Sequence, residues 1–338
     1  MKKTLIIVAC LLVAVLCFTT ACESAAPATS ATSGSGTSAS AANSDELYIL
    51  VSALSTYDMF EVNDFYAFEE WGKLMGVQTQ ITGPPDWDMV AMASAIDQAA
   101  AQKPDGLLVA GFDPTLQPSI DAAMDAGIPV VLYDSDVPES KRLSFSGTDW
   151  ASIGRIQAMA LGEAMGGQGK VAYIGIVGMS IMEMAFAAFE ETMAENFPAV
   201  EVMEKYDNPA SVEEATKLAA DIITANPDLT GFAGFASTVG PGIGIAIKEA
   251  NKVGEIKLTC VDMEPQHLQL IEDGIATLLV GQKRKLFTWY GAQMLYDYVH
   301  GFNSFSLDDK AAGISTIPAR VDTGLVLVDK NNISFFLE

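Results

Sequence analysis

Histidine is nearly absent from this 338-residue chain, which holds only His267 and His300, and its four cysteines stand far apart at 10, 17, 22 and 260. That poverty excludes a His/Cys metal cluster, and a Ser-His-Asp triad would need one of two histidines that both fall in helical stretches and read as surface residues. No Gly-x-Ser-x-Gly elbow and no phosphate loop ending in Gly-Lys-Ser/Thr occurs either. Neither a metal nor a cofactor is expected. Cations are scarce as well. The 19 Lys+Arg against 43 Asp+Glu leave a net charge of −24, which repels nucleic acid and anionic headgroups and points toward a small polar ligand. Heptads and Gly-X-Y periods are missing, while 50% of residues are hydrophobic, so the chain is globular, with length for roughly two domains that need no disulfides.

The first 22 residues carry Lys2 and Lys3, an apolar run from Leu5 to Phe18, and then Thr20-Ala21-Cys22. The run is shorter than the ~20 residues of a membrane span, so 1–22 reads as a signal peptide, and small residues before Cys22 make that cysteine the expected lipid anchor. Thr19 departs from the aliphatic residue usual three positions before such a cysteine. Loss of Lys2 and Lys3 with the leader would carry the charge from −24 to −26. Residues 23–45 are mostly Ala, Ser, Thr and Gly, a composition that cannot offset ordering entropy and suits a flexible tether outside the cytoplasmic membrane. Cys260, in an apolar run, reads as a buried core thiol.

From residue 46 onward, short β-rich runs alternate with amphipathic stretches, the pattern of βα units in a parallel sheet. One set of runs covers 47–53, 77–82, 106–110 and 128–133; a second covers 170–176, 200–203, 230–235, 257–262 and 276–280. The helical patterns between them lie near 60–75, 87–102 and 115–126, then near 182–196, 211–226, 239–252 and 264–274. Two similar α/β halves therefore follow one another. Ligands of open parallel sheets sit beyond the carboxyl ends of the strands, so the loops there are the place to look for function.

Those loops hold Tyr57, Asp58 and Phe60 after the first run, Asp134 and Asp136 after the fourth, and Trp150 beside Asp149. In the second half, Phe235 and Asp262 close strands and Gln282 follows another. Aromatic platforms with carboxylate and amide acceptors suit sugars, whose rings have apolar C–H faces and hydroxyl edges. Core packing competes as the explanation for each ring, and helix capping for each acid. The glycines at 240, 242 and 244 include Pro241 and lie in the second half, which argues for a tight turn into a helix and against a dinucleotide loop. The cluster Gln282-Lys-Arg-Lys285 reads as a solvated helix start or a patch between lobes.

Lys103-Pro-Asp-Gly-Leu-Leu-Val109, Ala126-Gly-Ile-Pro-Val-Val131 with Asp134-Ser-Asp136, Gly147-Thr-Asp149, Val261-Asp262, Val280-Gly-Gln282 and the segment 322–333 together resemble the type I periplasmic sugar-binding lipoproteins of bacterial ABC importers. Relatives of this kind include the ribose, xylose and autoinducer-2 binding proteins. The resemblance implies two doubly wound parallel-sheet lobes joined by a three-strand hinge, with the first lobe at 46–147 and 283–318 and the second at 148–282 and 319–338. It implies a monomer that closes on a monosaccharide or polyol, passes it to an importer permease, touches the membrane only through Cys22, and catalyses nothing. The ligand-contact positions it implies are Asp58, Phe60, Asp134, Asp136, Asp262 and Gln282, with Phe235 and Ser237 in a loop where the family often has a polar side chain. Where the ribose binder has arginine, this chain runs from Met179 to Phe186, so the guanidinium clamp is missing and Glu183 is the candidate replacement. A nucleoside or cationic amine as ligand, or a sensing role toward a membrane receptor, are the alternatives left open.

Overall fold

The computed structural model describes residues 45–208 and 211–337, so the expected leader, Cys22 and the tether through Ser44 lie outside it. The chain begins β1 (Leu47–Val51), α1 (Asp58–Phe60), a π-helical turn (Glu61–Phe65), α2 (Tyr66–Met75), β2 (Gln78–Thr82), α3 (Met89–Ala101), β3 (Gly106–Ala110), α4 (Gln117–Asp125), β4 (Val130–Asp134) and β5 (Ser144–Gly147). It continues α5 (Trp150–Ala164), β6 (Gln168–Gly175), α6 (Ser180–Asn196), β7 (Ala199–Asp207), α7 (Val212–Ala225), β8 (Leu229–Gly234), α8 (Val239–Glu249), β9 (Lys257–Val261), α9 (Pro265–Glu272) and β10 (Ala276–Gln282). Helix α10 (Arg284–Val299) and the strands β11 (Arg320–Asp322) and β12 (Leu325–Val328) complete it.

Two six-stranded sheets result, ordered β11-β5-β4-β3-β1-β2 and β12-β10-β9-β8-β6-β7. The orders correspond strand for strand, and every ladder between these strands is parallel except β10 with β12. Strands β3 and β4 are buried at every residue, as a parallel sheet covered on both faces requires. In register, Val51 lies beside both Thr82 and Val109, and Ala110 beside Tyr133, so the loops after four strands of the first sheet leave from one edge.

Each lobe has its own core. In the first, the fully buried Trp71 meets Tyr48 edge to face at 5.2 Å. In the second, Phe235 stands edge to face against Phe186 and Phe189 at 5.2 and 5.6 Å. Burying one such ring contributes ~1.5–3 kcal/mol. The 240–244 glycines lie inside α8, so they form part of the helix and not a turn before it. They allow close packing: a Cβ on Gly242 would come within 2.5 Å of Ala215 Cβ on α7.

The chain passes between the sheets at 148–149, at Lys283 and at 323–324. The third passage corrects the expected boundary at 318/319. Strand β11 pairs with β5 in the first sheet, through registers such as Asp322 with Gly147, so the return to the second lobe falls later. With three residues and no buried position, β11 leaves no apolar signature. Strand β5 and helix α5 are not among the runs and helical patterns that the sequence shows; β5 is Ser-Phe-Ser-Gly, with a single large apolar residue.

Candidate functional site

The strand-end loops of both sheets enclose a cavity of about 490 Å³. Its first-lobe wall carries Tyr57, Met59, Phe60, Trp87, Phe112 and Asp134, and its second-lobe wall Ile176, Met179, Met182, Ser237 and Asp262. Trp150, Gln282 and Arg284, at two of the passages, close the inner end. The hydroxyls of Tyr57 and Ser237 approach to 3.5 Å across the opening.

Asp134 and Asp262 occupy equivalent places, one ending β4 and the other following β9, and both adopt a left-handed backbone with φ of 65° and 77°. Such a conformation costs roughly 1–3 kcal/mol for a residue with a side chain and collects at ligand-binding sites. Both carboxylates are buried. Their partners differ. Arg284 donates from Nη2 to Asp134 Oδ2 at 2.6 Å, and from Nε and Nη2 to Asp64 at 3.1 and 2.5 Å. Its guanidinium also lies 4.7 Å from the centre of the Phe60 ring. Two carboxylates share one cation, and burial pushes Asp64 up to about 7 against the pull of Arg284.

Asp262 accepts one hydrogen bond, from Gln282 Nε2 at 3.1 Å. Burial, then the nearby Glu264 charge, push its carboxyl up to about 6, with His267, Gln282 and Arg284 opposing. Glu264 itself is held below the usual carboxylate range: burial works the other way, but the His267 ring, with Nδ1 2.9 Å from Glu264 Oε2, outweighs it. His267 is therefore fully buried and not the surface residue expected. Gln282 Oε1, Trp150 Nε1 and Thr238 Oγ1 are buried with no hydrogen-bond partner among the described residues. Buried polar atoms rarely stay unpaired, so each is available to a ligand.

Of the residues singled out from the sequence, Tyr57, Phe60, Asp134, Trp150, Ser237, Asp262 and Gln282 come together in the cavity. Asp58, Asp136, Glu183 and Phe235 do not line it. Asp58 is exposed in the first turn of α1. Asp136 is held by Arg142 through Nε and Nη2, the latter at 2.6 Å. Glu183 takes no guanidinium's place: it accepts from Gly178 N at 2.8 Å and pairs with Lys205 at 2.5 Å, which holds its carboxyl low. Phe235 is core.

Among the cavity residues that sequence reasoning missed are Arg284, Trp87 and Phe112. Arg284 stood in view as part of a basic cluster, but its partners lie 220 and 150 positions away. Trp87 stands just after a Pro-Pro turn, at the first position of the 87–102 helical pattern, and Phe112 follows a glycine outside any periodic run. Cys260, as expected, is a buried thiol, pushed upward by burial.

Residues 49–302 match the sequence model of a periplasmic binding protein domain. Among solved structures, an arabinose-binding protein from Geobacillus stearothermophilus superposes with a TM-score of 0.77 at 28% identity, covering 87% of this chain and all of its own. A sugar-binding protein of a sugar ABC transporter from Bacillus halodurans gives 0.80 at 27%, over 86% of this chain and all of its own. A solute-binding protein of an ABC transporter from Agrobacterium vitis, bound to α-D-tagatopyranose, gives 0.75 at 25%, over 86% and 96%. A search of curated proteins finds no match.

Proposed function

The chain belongs to the periplasmic binding protein family, with the type I fold and an extracytoplasmic place of action, and on that premise we propose that it is the lipid-anchored binding subunit of an ABC importer, taking a monosaccharide or similar polyol. The observation that carries this reading is the polar end of the cavity. Asp262 has acceptor capacity to spare, Gln282 Oε1 and Trp150 Nε1 are unpaired, and aromatic rings stand close by to take the C–H faces of a sugar. Binding is its whole task, and closure of two lobes on one ligand supplies the form that a permease receives. The solved relatives that bind sugars in ABC transporters support the same ligand class.

A cationic amine is less well served, because Arg284 already stands between Asp64 and Asp134. A thermal-shift panel of aldoses, ketoses and polyols tests the reading: a rise in Tm with at least one of them is expected, and none with any of them overturns it. The anchor is checked separately. Metabolic labelling with a fatty acid should mark the chain and be lost in Cys22→Ala; an unlabelled chain removes that part of the proposal. Co-purification with a permease, and a monomeric mass in light scattering, test the remaining parts.

A further inference from the structure

The two sheets share one strand order, and this sorts the cavity lining by polarity. Near the passages, Asp134 ends β4, Asp262 follows β9, and Gln282 ends β10 with Arg284 just beyond it. Farther out the lining turns mostly apolar, the hydroxyls of Tyr57, Ser237 and Thr238 apart. Phe112 follows β3, Phe60 follows β1, Trp87 follows β2, and Ile176, Met179, Ile181 and Met182 follow β6. Equivalent strands face one another, so the cavity has a polar end and an apolar end.

On the second-lobe side of the apolar end, three backbone donors are already engaged. In the loop after β6, Ile176 N donates to Met182 Sδ at 3.1 Å, Val177 N to Asp207 Oδ1 at 2.9 Å, and Gly178 N to Glu183 Oε1 at 2.8 Å. A ligand hydroxyl placed against this loop would give up water and find these donors taken, which is unfavourable. A methyl or methylene edge would gain contact with thioethers and rings. Unpartnered polar atoms lie away from that loop, at Gln282 Oε1 and Trp150 Nε1 by the passages and at Thr238 Oγ1 after β8.

We propose that the ligand is a sugar lacking hydroxyls along one edge, of which 6-deoxyhexoses are the simplest members. The inference rests on the sugar reading above. Its test is calorimetric titration of the whole mature protein with matched pairs: D-fucose and D-galactose, L-rhamnose and L-mannose, D-quinovose and D-glucose, 2-deoxy-D-ribose and D-ribose. In the tightest-binding pair the deoxy member should bind at least tenfold more tightly than its parent. A smaller ratio, or a parent that binds as well or better, overturns this inference and leaves the sugar reading standing. No binding by any member overturns both. The preference should also shrink at least threefold in Ile181→Asn or in Met182→Gln, and a ratio unchanged in both refutes the assignment of the apolar end.

Discussion

Asp134 and Asp262 stand at matching points of the two lobes, with the same left-handed backbone and comparable burial, yet they serve different ends. Asp134 is bound into a trio with Arg284 and Asp64, which fastens the second passage to the first lobe. Asp262 has an amide for a partner and a like charge for a neighbour, so its acceptor capacity remains for a ligand. Duplication of a fold therefore repeats a position without repeating its task. What decides the task is the residue delivered to that point by a distant segment of chain.

The contrast can be broken by experiment, and the largest effect belongs to the first lobe. Arg284→Met should cost about 3–5 kcal/mol in denaturant unfolding, because it strands two buried carboxylates. A loss below about 1 kcal/mol would show that the trio does not hold the structure. Next, Asp262→Asn should weaken binding of the cognate sugar by about 10- to 100-fold, as a charged hydrogen-bond acceptor is lost, while unfolding stability at pH 7 holds or rises. A fall in stability with affinity unchanged would reverse the roles assigned to the two acids.

A pH series sharpens the same contrast at smaller scale. Asp262 and Asp64 titrate near 6 and 7 in the folded protein and near 3.8 as free side chains, so between those limits the native state holds more protons than the unfolded one. Stability of the ligand-free protein should accordingly decline as pH rises from about 4 toward 7. Asp262→Asn should flatten the part of that decline below about 6, and sugar affinity in the native protein should rise through the same range as the acceptor ionises. A stability curve that climbs instead would refute the raised values. Smallest of all, Glu183→Gln should cost at most about 1 kcal/mol, since its pair with Lys205 is partly exposed, and should leave affinity untouched.

Much of the architecture was legible because it is local. Period-two and continuous apolar runs such as 106–110 announce strands by themselves, and their repetition announces two halves. The strand-end acids were legible too, as an acid directly after such a run. Side-chain direction at a strand's end is not, and so Phe235, expected at the ligand, faces the core. Nor does local sequence separate an acid that caps or pairs, such as Asp136 with Arg142, from one that faces a cavity. Arg284 shows the general limit: its meaning depends on two residues that only folding brings near. The apolar pair Ile181 and Met182, two adjacent hydrophobic residues just before Glu183, is a local mark of the cavity's apolar lining.

Cys260 has a practical consequence. It is the only cysteine among the described residues, fully buried, with a carbon of the neighbouring His267 ring 3.4 Å from the position a Cβ on Gly240 would take. Thiol-directed dyes will pass it by while the domain is folded. A cysteine substituted for Ser237 at the cleft rim, in protein beginning after Cys22, would be the one reactive handle, and a fluorophore there would report ligand capture optically without first removing a native thiol.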